Sequence, residues 1–221
     1  MCPRPKIEED MDVRTFMRTV DDLDRHKSRS ISLHLFGEPL LDEELLTKID
    51  ILKFNKHNVI LTTNGTINTP AVFDAVDHII ITYRPGLNLE TKEEWRYKIT
   101  LRCFKDYHIP KGWRVERKPY HNYGGNVKGE GHGTSREWYP CYHLWLAPAI
   151  AWNGDILICC NDPHHKTKLG NIKDMGLSEA WTSAKMKSLR CQQLKGITEG
   201  ICSNCNCWQT YPDMWFKWQK K

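Results

Sequence analysis

The nine cysteines of this 221-residue chain are spread very unevenly. Six lie from Cys141 to Cys205, Cys207 follows at once, and only Cys2 and Cys103 stand outside. An odd count excludes a fully paired disulfide framework within one chain. In a reducing compartment, clustering of this kind points to metal binding or catalysis. The opening MCPRPKIEEDMD has no apolar segment of a secretory leader. No apolar run approaches the about 20 residues that a membrane span takes. The chain is therefore expected to be cytoplasmic, with no membrane partner.

The cysteines can converge. After Cys141, LWLAPAIAW reads as a strand, Asn153-Gly154 as a type I′ hairpin turn, and DILICC as the returning strand. Such a hairpin brings Cys159 back beside Cys141. Cys159 and Cys160 are adjacent on the expected strand and should point to opposite faces, so one of the two is expected to reach a given centre. In ICSNCNCW, Cys202-x-x-Cys205 can present two sulfurs to one metal, with Cys207 as a close alternate. Cys191 and Cys103 sit in helical patterns and read as ordinary thiols. Four thiolates suit a closed zinc site or an iron–sulfur cluster equally well on spacing alone. The neighbouring His164 and His165 are less well placed than these cysteines.

Upstream, helix and strand patterns alternate. Asp12 can cap a helix bearing Val13, Phe16, Met17, Val20 and Leu23. SISLHLF reads as a strand, Asp42 opens a helix with Leu45, Leu46, Ile49 and Leu52, and NVILTTNGT is the next strand. Thr69-Pro70 starts a short helix. HIIITY is a third strand. Thr91 with Glu94 forms a capping box before a long helix through about Tyr107, and WRVERK is a fourth strand. This alternation predicts an α/β unit with a parallel sheet. The pattern stops between Pro119 and Pro140. The expected organisation is thus 1–118 as one unit, 119–137 as a Gly-rich linker, 138–210 as a cysteine-rich domain and 211–221 as a basic, aromatic tail. With 40% hydrophobic residues a packed core is available, and the net charge of +5 is well mixed along the chain.

Cys141, twelve residues, Gly154, four residues and Cys159 resemble the opening signature of the SPASM domain, the auxiliary-cluster domain of many radical S-adenosylmethionine (radical SAM) enzymes. The resemblance favours Cys159 over Cys160. LGNI at 169–172, LSEAW at 177–181 and the Cys202-x-x-Cys205 pair fit the same pattern. LHLFGEPLL is similar to the Gly-Gly-Glu-Pro segment of the radical SAM domain, with Phe36 in place of the first Gly. ILTTNGT resembles the strand that follows it. Cys2-Pro3-Arg4-Pro5 resembles the third cysteine of the Cys-x-x-x-Cys-x-x-Cys motif and the residues after it.

The resemblance implies a partial (β/α) barrel of the radical SAM type, missing its first strand, followed by a small SPASM-like domain with a β-hairpin. It implies one auxiliary 4Fe–4S cluster on Cys141, Cys159, Cys202 and Cys205, with Cys160 and Cys207 as alternates and Cys2 as a remnant of the catalytic cluster motif. S-adenosylmethionine would meet Gly37, Glu38, Pro39, Thr63 and Asn64. The first two cysteines of the catalytic motif are absent from this sequence, so a chain truncated at its N-terminus is expected. A second 4Fe–4S cluster and S-adenosylmethionine are expected only where that motif is whole. In such a form, reductive cleavage of S-adenosylmethionine gives a 5′-deoxyadenosyl radical that abstracts hydrogen from a peptide or small biosynthetic substrate. A flavodoxin or ferredoxin is the expected electron donor. No catalytic side chain is assigned. The alternatives are a non-catalytic iron–sulfur or electron-transfer module, and a zinc-stabilised nucleic-acid-binding protein supported by the basic tail. Nucleic acid is not the expected partner.

Overall fold

The computed structural model describes residues 9–25, 30–88, 93–118, 122–127 and 140–206. They divide into two compact units, one spanning Asp12–Pro119 and the other holding the remainder. Cys2, Cys207, the tail and most of the expected linker lie outside the described residues.

The first unit begins with α1 (Val13–Arg25). Asp12 caps it, its carboxylate accepting hydrogen bonds from the Thr15 backbone N–H at 2.8 Å and the Thr15 hydroxyl at 2.7 Å. Phe16 and Val20 are buried from this helix, while Met17, assigned to the apolar face on spacing, is exposed. There follow β1 (Ser30–Leu33), α2 (Leu45–Phe54), β2 (Asn58–Thr63), α3 (Pro70–Ala75), β3 (His78–Thr82), a 3-10 turn at Glu93–Lys98, β4 (Ile99–Cys103) and β5 (Arg114–Arg117). The five strands form one sheet in sequential order, every neighbouring pair parallel. Parallel neighbours need a crossover, and α2 and α3 supply the first two.

Alternation along the strands separates the two faces. Val59, Leu61, Ile79, Ile81, Ile99 and Leu101 are buried on one face, against which α2 packs through β2. The opposite face carries Ser32, Ile60, Thr62, His78, Ile80, Thr100, Arg102, Arg114 and Glu116 in register. The long helix expected after Thr91 is a single 3-10 turn followed by β4. β4 alternates as a strand should, with Ile99, Leu101 and Cys103 on the buried face and Thr100 and Arg102 on the polar one, a two-residue period that outweighs the capping signal of Thr91 and Glu94. Cys103 is therefore a strand residue, 1% exposed, and not a helical one.

In the second unit, α4 (His143–Leu146) replaces the strand expected after Cys141, and β6 is only Ala149–Ile150. β6 pairs antiparallel with β7 (Asp155–Leu157), and β7 with β8 (Lys168–Asn171). The turn is not type I′, because Gly154 is at φ +88 but Asn153 is not at positive φ. A three-residue loop results, closed by the Ala151 N–H donating to the Asp155 carbonyl and the Gly154 N–H to the Ala151 carbonyl. α5 (Leu177–Thr182) and α6 (Ala184–Leu194) follow, with the Ser183 hydroxyl accepting from the Met186 N–H to cap α6. Leu144, Ile158 and Met186 form the core of this unit, with Trp181, Cys159 and Cys202 packed against it.

Candidate metal centre and strand-end site

Cys141, Cys159, Cys202 and Cys205 line one small cavity in the second unit, together with His143, Leu144, Ile158, Asn161, Gln193 and Ile201. Three stretches of chain deliver these sulfurs. Cys141 precedes α4, Cys159 follows β7, and Cys202 and Cys205 sit around a 3-10 turn at Gly200–Cys202. The hairpin brings Cys141 and Cys159 together although 17 residues lie between them, and Cys159 and Cys202 pack against the core of Leu144, Ile158 and Met186.

Two residues of α6 tie it to the Cys141 segment. Arg190 donates to the Leu144 carbonyl at 2.7 Å, and Gln193 accepts the Cys141 backbone N–H at 2.9 Å. At i and i+3 they share a helix face. The other side of the centre is held by Asn122. It accepts the Asn206 N–H at 3.1 Å, and its own N–H donates to the Asn206 side-chain oxygen at 2.6 Å. Part of the segment expected to be a linker thus packs on the Cys202-x-x-Cys205 loop. Neither Gln193 nor Asn122 is marked by a sequence motif. The one signal for Gln193 is its place on the stripe Met186, Leu189, Gln193, where an apolar residue would be ordinary.

Cys160 departs from its expected placement. β7 ends at Leu157, so Cys159 and Cys160 are in a turn, where strand alternation no longer applies. Their sulfurs and a ring nitrogen of His143 lie within 4.8 Å of one another. Cys160 nevertheless does not line the cavity shared by the other four. Cys191 is exposed on α6, and His165 is engaged with Asp155 at 2.9 Å instead of facing the thiols.

The donor set fits a cationic, sulfur-ligated group. The Cys159 thiol is pushed up by a hydrogen bond with Cys160, by burial and by the nearby Cys160 and Cys141 sulfurs. Burial and then the charge of Cys141 push Cys202 up to about 11, while the Gln193 amide pulls it back down. Buried thiolates that repel one another in this way are what a bound metal centre neutralises. Donors are also in place around the sulfurs, with the Asn161 N–H donating to Cys159 Sγ at 3.3 Å. Cys2 and Cys207 lie outside the described residues.

The first unit gathers the other expected residues at the C-terminal ends of β1 and β2. Glu38 follows β1 and caps a 3-10 turn at Pro39–Leu41. Its carboxylate accepts from the Thr63 hydroxyl at 2.7 Å, the Asn64 N–H at 2.8 Å and the Leu40 N–H at 3.3 Å. Gly37, Glu38, Pro39, Thr63 and Asn64 are thereby locked into one feature. Glu38 is spent largely on holding the two strand ends together. On the polar face of the sheet, Arg102 pairs with Glu116 at 2.7 Å and His78 meets Thr100 at 3.2 Å.

Comparison with known proteins agrees with this geometry. Residues 141–206 match the SPASM family, described as an iron–sulfur cluster-binding domain. Among solved structures, BtrN in complex with AdoMet and 2-DOIA is similar over 91% of this chain and 82% of its own, with TM-score 0.73 and 20% identity. SuiB of Streptococcus suis bound to precursor peptide SuiA is similar over 87% of this chain and 62% of its own, with TM-score 0.63 and 12% identity. The anSMEcpe structure with bound AdoMet covers 83% of this chain and 75% of its own, with TM-score 0.56 and 13% identity. An uncharacterized protein of Treponema pallidum (strain Nichols) is 32% identical over 75 residues, which is 34% of this chain and 20% of that protein. The match therefore spans one fifth of that curated relative.

Residues 141–206, within the second unit, are a SPASM-type iron–sulfur cluster-binding domain. The chain shares its fold with the BtrN, SuiB and anSMEcpe structures, its five-stranded parallel sheet corresponding to the partial barrel expected from FGEP and TNG. No helix among the described residues is long and apolar enough to cross a membrane.

Proposed function

We propose that Cys141, Cys159, Cys202 and Cys205 hold one 4Fe–4S auxiliary cluster in a radical SAM/SPASM enzyme acting on a peptide or small biosynthetic substrate. The observation that carries this reading is the convergence of those four sulfurs on one cavity, within the stretch that matches an iron–sulfur family. In this reading α6 and Asn122 position the ligands, and the apolar wall of Leu144, Ile158 and Ile201 limits water at the cluster. When bound, the cluster would supply one-electron chemistry. S-adenosylmethionine is assigned to the ends of β1 and β2. There Glu38 fixes the Thr63–Asn64 backbone, and the polar sheet face bearing His78, Thr100, Arg102 and Glu116 is available to a polar substrate. Support for both ligands comes from the AdoMet carried by BtrN and anSMEcpe, and from the 2-DOIA and peptide carried by BtrN and SuiB.

The test joins this chain to coding sequence that completes Cys-x-x-x-Cys-x-x-Cys around Cys2, adds reductant with a flavodoxin or ferredoxin, and measures 5′-deoxyadenosine. Its formation supports the enzyme. Its absence in protein with full iron content supports the electron-transfer alternative. A chain purified with zinc on His143, Cys159 and Cys160 contradicts the iron–sulfur assignment.

A further inference from the structure

Gln193 has a feature that holding Cys141 does not explain. It lies on α6, is 2% exposed, and lines the cavity shared by the four cysteines. Its orientation is settled by chemistry, because a backbone N–H can only donate. The atom that meets the Cys141 N–H at 2.9 Å must be the amide oxygen. The amide nitrogen is then fixed on the other side and buried, with no hydrogen bond of full geometry among the described residues, and the Cys202 sulfur is the neighbour it faces. A buried amide NH2 left without an acceptor is destabilising, and the cavity that Gln193 lines carries four cysteine sulfurs. Apolar residues at Met186 and Leu189 continue the same helix stripe, so a leucine at 193 would satisfy packing alone.

We propose that the Gln193 side-chain NH2 donates a hydrogen bond to a sulfur of the bound iron–sulfur cluster, either Cys202 Sγ or a bridging sulfide, and thereby raises the reduction potential of that cluster. This rests on the iron–sulfur reading above. A hydrogen bond to sulfur stabilises the more negative reduced state, which is why donors around a cluster move its potential upward. Gln193 acts at both ends of its amide, fixing one ligand through the oxygen and tuning the cluster through the nitrogen.

The experiment uses the full chain, reconstituted anaerobically with iron and sulfide. Iron content is read first, so that failure of the cluster assignment is separated from failure of this one. Gln193→Leu is expected to keep the iron content of the parent and to lower the midpoint potential in an EPR-monitored titration. Gln192→Leu, one position away on α6, is expected to leave the potential unchanged. Should Gln193→Leu fail to hold iron, the parent protein labelled with 15N in its glutamine side chains decides the matter. Pulsed EPR of the reduced cluster is expected to show a 15N coupling that Gln192→Leu retains. An unchanged potential in iron-replete Gln193→Leu, or no 15N coupling in the labelled parent, overturns the proposal.

Discussion

The Glu38 carboxylate accepts the Thr63 hydroxyl at 2.7 Å, joining the end of β1 to the end of β2 although 25 positions separate the two residues. A second carboxylate oxygen takes the Asn64 N–H at 2.8 Å. Removing the carboxylate leaves both donors without this acceptor. Glu38→Ala is expected to destabilise the chain by about 1–3 kcal/mol, and Glu38→Gln by less, since its amide oxygen keeps one of the two bonds. Chemical denaturation checks the order. Equal stability of Glu38→Ala and the parent contradicts the positioning role.

Gly65 follows directly in the same turn at φ +73. A Cβ there would lie 2.7 Å from the Ile81 Cγ2 methyl and 3.1 Å from Leu87. Ile81 is β-branched, buried and stiff at χ1, so it yields poorly. Gly65→Ala is expected to cost about 1–3 kcal/mol from strain and clash together. Thermal unfolding reads the loss, and a melting temperature equal to the parent's contradicts the packing described.

These strand ends were legible because their residues are turn residues at the close of alternating strands. Other parts were hidden for physical reasons. ITLRC carries a two-residue period, but over only five residues, and the capping signal of Thr91 and Glu94 just before it points to a helix instead. HLWL has no N-cap side chain and no polar face to mark a helix of one turn. The convergence of four cysteines followed from the hairpin and the Cys-x-x-Cys spacing. The near approach of Cys160 did not, because it depends on β7 stopping at Leu157. Gln193 and Asn122 act through tertiary hydrogen bonds, across 52 and 84 positions, that no local pattern encodes.

Asp155 gives the second unit a pH dependence. Burial alone would raise its carboxyl, but hydrogen bonds from Lys168, His165, Asn171 and Asn153 outweigh burial and hold it well below the usual carboxylate range. Folding therefore favours the ionised form. The stabilisation is complete above the unfolded-state value of about 3.9 and is lost as pH falls toward the lower folded-state value. Asp155→Asn is expected to be less stable than the parent at pH 7, with the gap narrowing below about pH 4. Denaturant midpoints across that range test it, and a gap that stays constant with pH contradicts the assignment.

Asn122 and Asn206 exchange two hydrogen bonds beside the Cys202-x-x-Cys205 loop. Asn122→Ala is expected to remove about 1 kcal/mol of support and to speed iron loss to a chelator, with the initial iron content unchanged. Release at the parent's rate would show that the loop is held by other contacts.

The proposed binding of an iron–sulfur cluster by the four converging cysteines bears on every part of the site. It is tested most directly by iron and acid-labile sulfide analysis of anaerobically reconstituted chain, alongside single Ser variants of each cysteine. About four irons and four sulfides per chain are expected, lost on substitution of Cys141, Cys159, Cys202 or Cys205 and kept on substitution of Cys103 or Cys191. A chain that carries only stoichiometric zinc, or iron that survives all four substitutions, would contradict it.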